Sequence, residues 1–321
     1  MQSIILGLYN TFSCMAGDCP ATCCAGWKIV VDKEDYDRFR QLEHGAIRDD
    51  ILSHLIERNG EYCFQNDSMG RCAMLDSDGL CRIQKSISED ALCNTCRKFP
   101  RLTAQVDGEL WISMAASCPV VAKYLLTEKV RWHYTDEFHR ELSIMDLPIW
   151  QDCEKVLEDC RLYVLKQDLD IDIFVDVAMD CLDVLLCFPQ FPYLEDSFDY
   201  YQEEGNSLET MSAFRKVTKT DWNRFFQNYI HYRIPSRYLE YPSEPLQERI
   251  KQVLGELLLI RVILCSRYRM RNGLQKSDWM EVLQWVYRFC AHGQKMGQKV
   301  HRLFLKWKRE VLCQAYMDDR I

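Results

Sequence analysis

Residues 14–24 read Cys-Met-Ala-Gly-Asp-Cys-Pro-Ala-Thr-Cys-Cys, so four cysteines fall within one short stretch near the start of the chain. The first 118 residues hold ten of the seventeen cysteines. The remaining six of these ten are Cys63, Cys72, Cys81, Cys93, Cys96 and Cys118. Thiols at this density are expected to bind a partner or to be buried. Four states are open at this point: disulfides, a zinc site, an iron–sulfur centre, or buried free thiols.

The composition is that of a folded, acidic chain. Its 321 residues are 48% hydrophobic and 27% charged, which is enough to form a core. The formal net charge of −8 argues against a nucleic-acid partner, because non-specific binding needs a positive field. No apolar run reaches about 18 residues, so no membrane partner is expected. The start of the chain, Met1 to Leu6, lacks the features of a signal peptide, which predicts a cytoplasmic protein.

The predicted compartment and the spacing of the cysteines both favour a metal. Thiols are normally unpaired in the reducing cytosol, and an odd number of cysteines fits a disulfide framework poorly. Cys93-x2-Cys96 is a short chelating pair of a kind found in both zinc and iron–sulfur sites. Cys23 and Cys24 are adjacent, and neighbouring side chains rarely point at one small tetrahedral ion. An iron–sulfur centre is therefore favoured, and zinc remains the alternative.

The first third of the chain is predicted to combine short elements with loops. Residues 63–101 are predicted to be rich in loops and held by ligands. The predicted elements are an extended segment at 27–32, a helix capped by Asp32 and ending near Glu43, a helix from about Ala46 to Arg58 stopped by Gly60, and a β-hairpin at 103–114 around Asp107-Gly108.

After residue 119 the pattern becomes helical. Helices are predicted near 119–130, 151–166, 170–188, 207–230, 245–271, 277–293 and 295–316, with loops at 188–206 and 234–245. The later cysteines occur singly in these patterns and are predicted to be core residues: Cys153, Cys160, Cys181, Cys187, Cys265, Cys290 and Cys313. The predicted fold is mainly α, with a cysteine-rich metal-binding N-terminal unit at 1–122 that contains a short β-hairpin, and a helical C-terminal domain at 123–321.

The flanks of the cysteines carry a resemblance to a known family. The motifs are Phe12-x-Cys14-x4-Cys19-x3-Cys23-Cys24-x2-Trp27, Cys72-x8-Cys81-x-Ile83, Leu92-Cys93-x2-Cys96-x2-Phe99-Pro100-Arg101 and Ser117-Cys118-Pro119. Together they resemble the flagellin lysine-N-methylase family over residues 9–126. Two later segments, at 228–233 and 287–292, resemble that family with lower specificity.

The resemblance implies a cytoplasmic enzyme that methylates lysine side chains of flagellin with S-adenosylmethionine as donor. It also implies a cysteine-ligated metal centre, a [4Fe–4S] cluster. The ligand pool carried over from the family motifs is Cys14, Cys19, Cys23, Cys24, Cys72, Cys81, Cys93, Cys96 and Cys118. Cys63 is outside the family pattern and is not included. Nine thiols exceed the four that one cluster needs, so either two centres are present or some thiols are structural.

No motif places the methyl donor. Gly-x-Gly does not occur, and neither does the Cys-x3-Cys-x2-Cys spacing of radical S-adenosylmethionine enzymes. The candidates for a donor or lysine pocket are Trp27, Tyr232, Arg233, Arg288 and His292. For each of them a structural role is the competing interpretation. The competing functions for the whole chain are a non-enzymatic, metal-stabilised module that senses redox state or binds a client protein, and a zinc-scaffolded enzyme.

Overall fold

The computed structural model describes residues 3–106, 108–135, 141–142 and 208–291. The helices in these ranges are α1 (Lys33–Gln41), α2 (Ala46–Ser53), α3 (Arg82–Ser86), α4 (Asn94–Lys98), α5 (Pro119–Thr127), α6 (Leu208–Glu240), α7 (Leu246–Arg271) and α8 (Lys276–Ala291). The strands are β1 (Ser3–Leu6), β2 (Val30–Val31), β3 (Leu55–Arg58), β4 (Glu61–Phe64), β5 (Arg101–Val106), β6 (Glu109–Met114), β7 (Trp132–Tyr134) and β8 (Glu141–Leu142). Within the described ranges, no helix has both the length and the apolar character that crossing a bilayer requires.

The chain forms two compact units. The cysteine-rich unit comprises Phe12–Leu102 and Cys118–Val120. The helical unit comprises the described parts of Met1–Thr11, Thr103–Ser117 and Val121–Ile321. This division differs from a single boundary at residue 122, because β1 and most of the predicted hairpin group with the helices that follow them.

A five-stranded sheet has the order β5-β6-β1-β7-β8. Its central strand β1 runs parallel to β6, with Ile4 opposite Trp111, and antiparallel to β7. The predicted hairpin is confirmed, since β5 and β6 are neighbours on either side of residues 107–108. Gly108 has a φ of 84°, a conformation that glycine adopts without steric cost. Strand β1 was not predicted, although its three apolar residues are buried.

A three-stranded antiparallel sheet, β2-β4-β3, lies in the cysteine-rich unit. Helix α1 follows β2 and begins as predicted, because the Asp32 carboxylate accepts a hydrogen bond of 2.8 Å from the Asp35 N–H. The core of this unit is formed by apolar side chains from both sheet and helices together with two thiols, namely Ile29, Val31, Phe39, Ile51, Phe64, Cys72, Met74, Ile83, Ala91 and Cys93. Cys72 and Cys93 are therefore part of the core, and Cys24, Cys81 and Cys96 pack against it.

The second predicted helix is wrong beyond Ser53. Helix α2 ends there, and Leu55–Arg58 forms β3, which pairs with β4 along its whole length. Asn59 and Gly60 both have positive φ, at 56° and 80°, which is the backbone of a tight Asn-Gly hairpin turn. The glycine interpreted as a helix stop is thus the second of the two residues that connect the strands of a β-hairpin.

Helix α6 extends ten residues beyond its predicted end at 230, so the predicted loop at 234–245 is wrong for its first half. Pro235 lies inside the helix and has no N–H, which leaves the carbonyl of His231 without its usual helical donor. The indole N–H of Trp132 donates to that carbonyl at 3.1 Å. The helix continues past the proline because a side chain from β7 replaces the missing backbone donor.

The other helices that fall in described ranges are close to their predictions. Helices α5, α7 and α8 correspond to the segments predicted at 119–130, 245–271 and 277–293. Cys290 on α8 is buried, as predicted. The helices predicted at 151–166, 170–188 and 295–316 and the loop at 188–206 lie outside the described residues, as do Cys153, Cys160, Cys181, Cys187 and Cys313.

Candidate metal centre in the cysteine-rich unit

Five cysteines surround one small cavity in the cysteine-rich unit. The cavity has a volume of about 10 Å³ and an almost entirely apolar wall. Its lining residues are Cys24, Cys72, Cys81, Cys93 and Cys96 together with Ile29, Phe64, Met74, Leu75, Ile83 and Leu92. All five thiols belong to the ligand pool that the family motifs imply. Cys63 lies in β4, is buried, and is not part of this wall.

Backbone hydrogen bonds bring these separate cysteine segments together. The Cys72 N–H donates to the Cys24 carbonyl at 2.7 Å, which joins the first segment to the second. Leu75 and Cys81 form a β-bridge. Cys81 and Cys93 each stand immediately before a short helix, α3 and α4 respectively, and Cys96 lies inside α4. The backbone therefore joins the first two cysteine segments, and α4 supplies the cavity with the thiols of Cys93 and Cys96.

The cavity thiols influence one another's acidity. Burial raises the pKa of Cys72 to about 12, and the nearby thiols of Cys24, Cys81 and Cys93 act in the same direction. Burial also raises the pKa of Cys81. A hydrogen bond from the Cys96 thiol lowers the pKa of Cys93 and raises that of Cys96. Several thiolates in this space would repel one another without a cation, whereas a bound cation would stabilise them.

A second set of thiols meets at Cys23. The Cys23 thiol donates to Cys24, which lowers the pKa of Cys24 to about 7 and raises that of Cys23. The charges of Cys24, Cys14 and Cys118 raise the pKa of Cys23 further, so these groups lie near it. The Cys14 sulfur accepts a hydrogen bond of 3.3 Å from the Ala16 N–H. The adjacent pair Cys23-Cys24 thus joins this set to the cavity.

The chemistry of this donor set fits a metal held by thiolates, in both zinc and iron–sulfur form. Within the described part of the chain, however, no three His, Cys, Asp or Glu side chains already stand in a metal-binding arrangement. A volume near 10 Å³ is about the least that can hold one water molecule. A single ion would need the thiols to turn inward, and a cubane cluster would need the wall to widen.

Trp27 lies beside the adjacent cysteine pair. Its indole N–H donates to the Cys23 carbonyl at 2.6 Å, and its ring lies 6.1 Å from the ring of Phe99. These contacts fasten the Cys23-Cys24 backbone. They agree with a packing role for Trp27, and its proposed role in donor binding stays a prediction.

Tyr232 and Arg233 are fully buried in the helical unit. The Tyr232 hydroxyl donates to the Met114 carbonyl at 2.8 Å and accepts the Ala116 N–H at 3.0 Å. The Arg233 guanidinium makes two hydrogen bonds to the Glu256 carboxylate, at 2.8 and 3.0 Å. Both side chains are engaged in internal bonds, which favours a structural role. Binding of the methyl donor by either of them stays a prediction.

The last two predicted pocket residues are Arg288, near the end of α8, and His292. Arg288 is half-buried and donates to the Ser117 carbonyl at 3.4 Å. His292 lies outside the described residues. The acidic partners of Arg233, namely Glu256 and Glu240, which accepts from Arg233 Nη1 at 2.9 Å, were not among the sequence candidates. Their signal was weak, because glutamates inside a helical pattern are usually exposed.

Known relatives were found by sequence comparison. Over 122 residues the chain is 34% identical to a lysine-N-methylase of Salmonella choleraesuis, covering 36% of this chain and 30% of that protein. A lysine-N-methylase of Salmonella typhimurium is 33% identical over 122 residues, again 30% of that protein. No protein-family model matches the chain, and no solved structure matches it.

A third relative is matched over most of its length. The flagellar biosynthetic protein FliU of Salmonella muenchen is 33% identical over 124 residues, which are 36% of this chain and 72% of FliU. The chain thus spans 30% of each lysine-N-methylase and most of FliU. It belongs to the family of FliU and the lysine-N-methylases, the flagellin lysine-N-methylase family that its cysteine motifs resemble.

Proposed function

We propose that this chain is a protein-lysine N-methyltransferase that uses S-adenosylmethionine as donor and flagellin as substrate. The observation that carries the proposal is the similarity to two proteins named lysine-N-methylase and to the flagellar protein FliU. A cytoplasmic site of action is part of the proposal, because a chain with ten cysteines in its first 118 residues suits a reducing compartment, where thiols stay available to bind a metal.

The reaction is a displacement at the methyl carbon. The lone pair of the lysine amine attacks the methyl group, the carbon–sulfur bond breaks, and the donor leaves as a neutral thioether. The amine must be neutral to react, although the pKa of a free lysine is about 10.4. An apolar pocket lowers that pKa, and alignment of amine and methyl group supplies much of the remaining rate. The candidates for this pocket remain Trp27, Tyr232, Arg233, Arg288 and His292.

We further propose that the cysteine-rich unit holds a metal centre, iron–sulfur in the first instance and zinc as the alternative. The thiols that would hold it are the five that line the cavity, Cys24, Cys72, Cys81, Cys93 and Cys96. Cys14, Cys19, Cys23 and Cys118 complete the pool and are available to a second centre. When bound, the centre would cross-link these segments or bind the amino and carboxylate groups of the donor. The displacement itself does not require a metal.

Metal analysis tests the centre directly. Protein purified without oxygen should contain iron with sulfide, or zinc, at a fixed ratio to the chain, and iron should give visible absorbance. Cys93→Ala should lose the metal, whereas Cys63→Ala is the matched control, because Cys63 is equally buried but absent from the cavity wall. If neither metal is present in wild-type protein, or if Cys63→Ala loses as much metal as Cys93→Ala, the proposed centre is wrong.

Methyl incorporation tests the activity. Labelled S-adenosylmethionine and flagellin from the host of this chain should give labelled methyl-lysine with metal-replete protein. The absence of label in every flagellin tested would exclude flagellin methylation. The comparison should include Cys63→Ala and Cys93→Ala, since a polar displacement predicts that loss of metal lowers activity only through folding or donor binding.

A second function is favoured by the limited extent of the similarity. The match covers about a third of this chain, and FliU, named only as a flagellar biosynthetic protein, shares that same extent. A metal-stabilised module that binds a client protein without catalysis would account for it. Calorimetry separates the two functions, because binding of S-adenosylmethionine is expected for the methyltransferase alone.

A further inference from the structure

The Cys93-Cys96 segment is held from outside by helix α1. One arginine on that helix, Arg38, reaches the segment with both of its terminal nitrogens. Nη1 donates to the Ala91 carbonyl at 3.0 Å, and Nη2 donates to the Leu92 carbonyl at 2.8 Å. Two consecutive carbonyls immediately before Cys93 are thereby fixed by a single planar fork. A lysine, with one ammonium, cannot reproduce this geometry.

A buried aspartate on the same helix holds the other side of Cys93. Asp35 is 2% exposed. Its Oδ2 accepts the Asn94 N–H at 2.5 Å, and its Oδ1 accepts from Arg38 Nη2 at 2.7 Å. Asp35 and Arg38 together therefore bind the backbone of residues 91, 92 and 94, on both sides of Cys93. A buried carboxylate is costly unless it is paired in this way, so its place here calls for a reason.

Two further hydrogen bonds hold the residues between Cys93 and Cys96. The Asp32 carboxylate, which caps α1, also accepts a hydrogen bond of 2.7 Å from the Asn94 side chain. The Thr95 hydroxyl donates to the Val30 carbonyl at 2.6 Å. Every residue from 91 to 95 other than Cys93 thus has a contact to α1 or to the strand before it. Cys93 itself is left to face the cavity.

We propose that Asp35 and Arg38 are the positioning residues of the Cys93-Cys96 pair: they fix the backbone so that both thiols are presented to the proposed metal. The proposal deepens the metal centre and rests on it for its purpose, but its geometry is independent of any metal. Partners of this kind behind the ligands typically change metal affinity about 10- to 100-fold.

The test uses an isosteric change at Asp35 and two substitutions at Arg38, with substitutions of exposed residues on the same helix as controls. Asp35→Asn keeps the shape but turns one acceptor into a donor that faces another donor. Arg38→Gln removes the fork, and Arg38→Lys is the conservative variant, which should not rescue. Glu34→Gln and Arg40→Gln are the matched controls, because both side chains are exposed on the same helix.

The first readout is alkylation of the metal-free protein by iodoacetamide, followed by mass spectrometry. Cys93 and Cys63 are both buried in the cysteine-rich unit, at 1% and 2% exposure. Asp35→Asn and Arg38→Gln should raise the alkylation rate of Cys93 about tenfold or more, with Cys63 unchanged. An equal rise in alkylation rate at both cysteines would overturn the proposal, because Asp35 and Arg38 would then stabilise the whole unit. No rise at Cys93 would also overturn it, because the two residues would then have no local effect on this segment.

The second readout is competition for the metal with a chelator. Asp35→Asn and Arg38→Gln should lower the affinity for the native metal about 10- to 100-fold, while both control variants stay within about twofold of wild type. Unchanged affinity in a protein that does bind metal would overturn the positioning role. If wild-type protein binds no metal, the proposed centre fails, and the alkylation result still decides whether Asp35 and Arg38 fix this segment.

Discussion

Replacing Arg233 by methionine tests whether this residue holds the helical unit together or serves a pocket. Arg233 and Glu256 have side chains that are 0% exposed, and Arg233 makes the two hydrogen bonds to Glu256 described above. Methionine keeps much of the length of the side chain and removes the charge. The Glu256 carboxylate would then be buried without its main partner.

The expected loss follows from what Glu256 retains. Removing one member of a buried ion pair costs about 3–5 kcal/mol. Glu256 keeps the Tyr229 hydroxyl at 2.7 Å, and Arg237 Nη1 lies 3.9 Å from it. Since these groups still stabilise part of the charge, we expect the lower end, a fall of about 3 kcal/mol in the free energy of unfolding, measured by urea denaturation. Adding Glu256→Gln to Arg233→Met should recover part of this loss, because the uncompensated charge on Glu256 is gone. The recovery should be incomplete, because Glu240 also loses its 2.9 Å hydrogen bond from Arg233 Nη1.

The matched control lies on the same helix. Arg224 pairs with Asp221 at 2.9 Å, but both side chains are more than half exposed. Arg224→Met should therefore change the free energy of unfolding by no more than about 0.5 kcal/mol. If Arg233→Met is as stable as Arg224→Met, the reasoning from burial is refuted. A stable Arg233→Met variant that no longer binds S-adenosylmethionine would instead support the pocket predicted from the sequence.

Two further predictions concern the helical unit. Trp132→Phe should lower the free energy of unfolding by about 1–3 kcal/mol, because the His231 carbonyl loses its donor. Trp111→Phe, measured in the same urea assay, should cost less, because the buried Trp111 indole N–H has no hydrogen-bond partner among the described residues. Burial and the nearby charge of Lys129 lower the pKa of His231 in the folded protein, so the unfolded chain binds the proton of this histidine more tightly. The free energy of unfolding should therefore fall as the pH drops from about 6.5 through the folded pKa. His231→Gln should show a weaker pH dependence over that range, and parallel pH profiles for the variant and the wild type would count against the assignment.

Local signals in the sequence predicted the elements that depend on neighbouring residues. The Asp32 cap and the hairpin at residues 107–108 are short-range features, and both are confirmed. Strand β1 was not predicted, because a run as short as Ile4-Ile5-Leu6 does not distinguish a strand from a helix. Its parallel partner β6 lies more than a hundred residues away. The continuation of α6 past Pro235 depends on Trp132, which is equally remote in sequence.

The residues of the candidate site also differ in how far the sequence could predict them. Cysteine spacing identified the thiols, and five of them face one cavity. Spacing could not identify Asp35 and Arg38, because an acidic residue in the first turn of a helix and a basic one a turn later are common on exposed surfaces. Their importance lies in burial and in contacts that span more than fifty residues of sequence, which no single-sequence pattern reports.

The metal centre and the methyl-donor site are separate proposals, and the limited extent of the family match does not show that they share one stretch of chain. The shared stretch is 72% of FliU but only 30% of each lysine-N-methylase. If the donor site lies in the shared stretch, FliU should bind S-adenosylmethionine as well. If the donor site lies outside the shared stretch, each relative must form its own donor site, and this chain must form one from residues outside the match. Donor binding measured on this protein and on FliU therefore distinguishes the alternatives, since binding by this chain but not by FliU assigns the pocket to the unmatched residues.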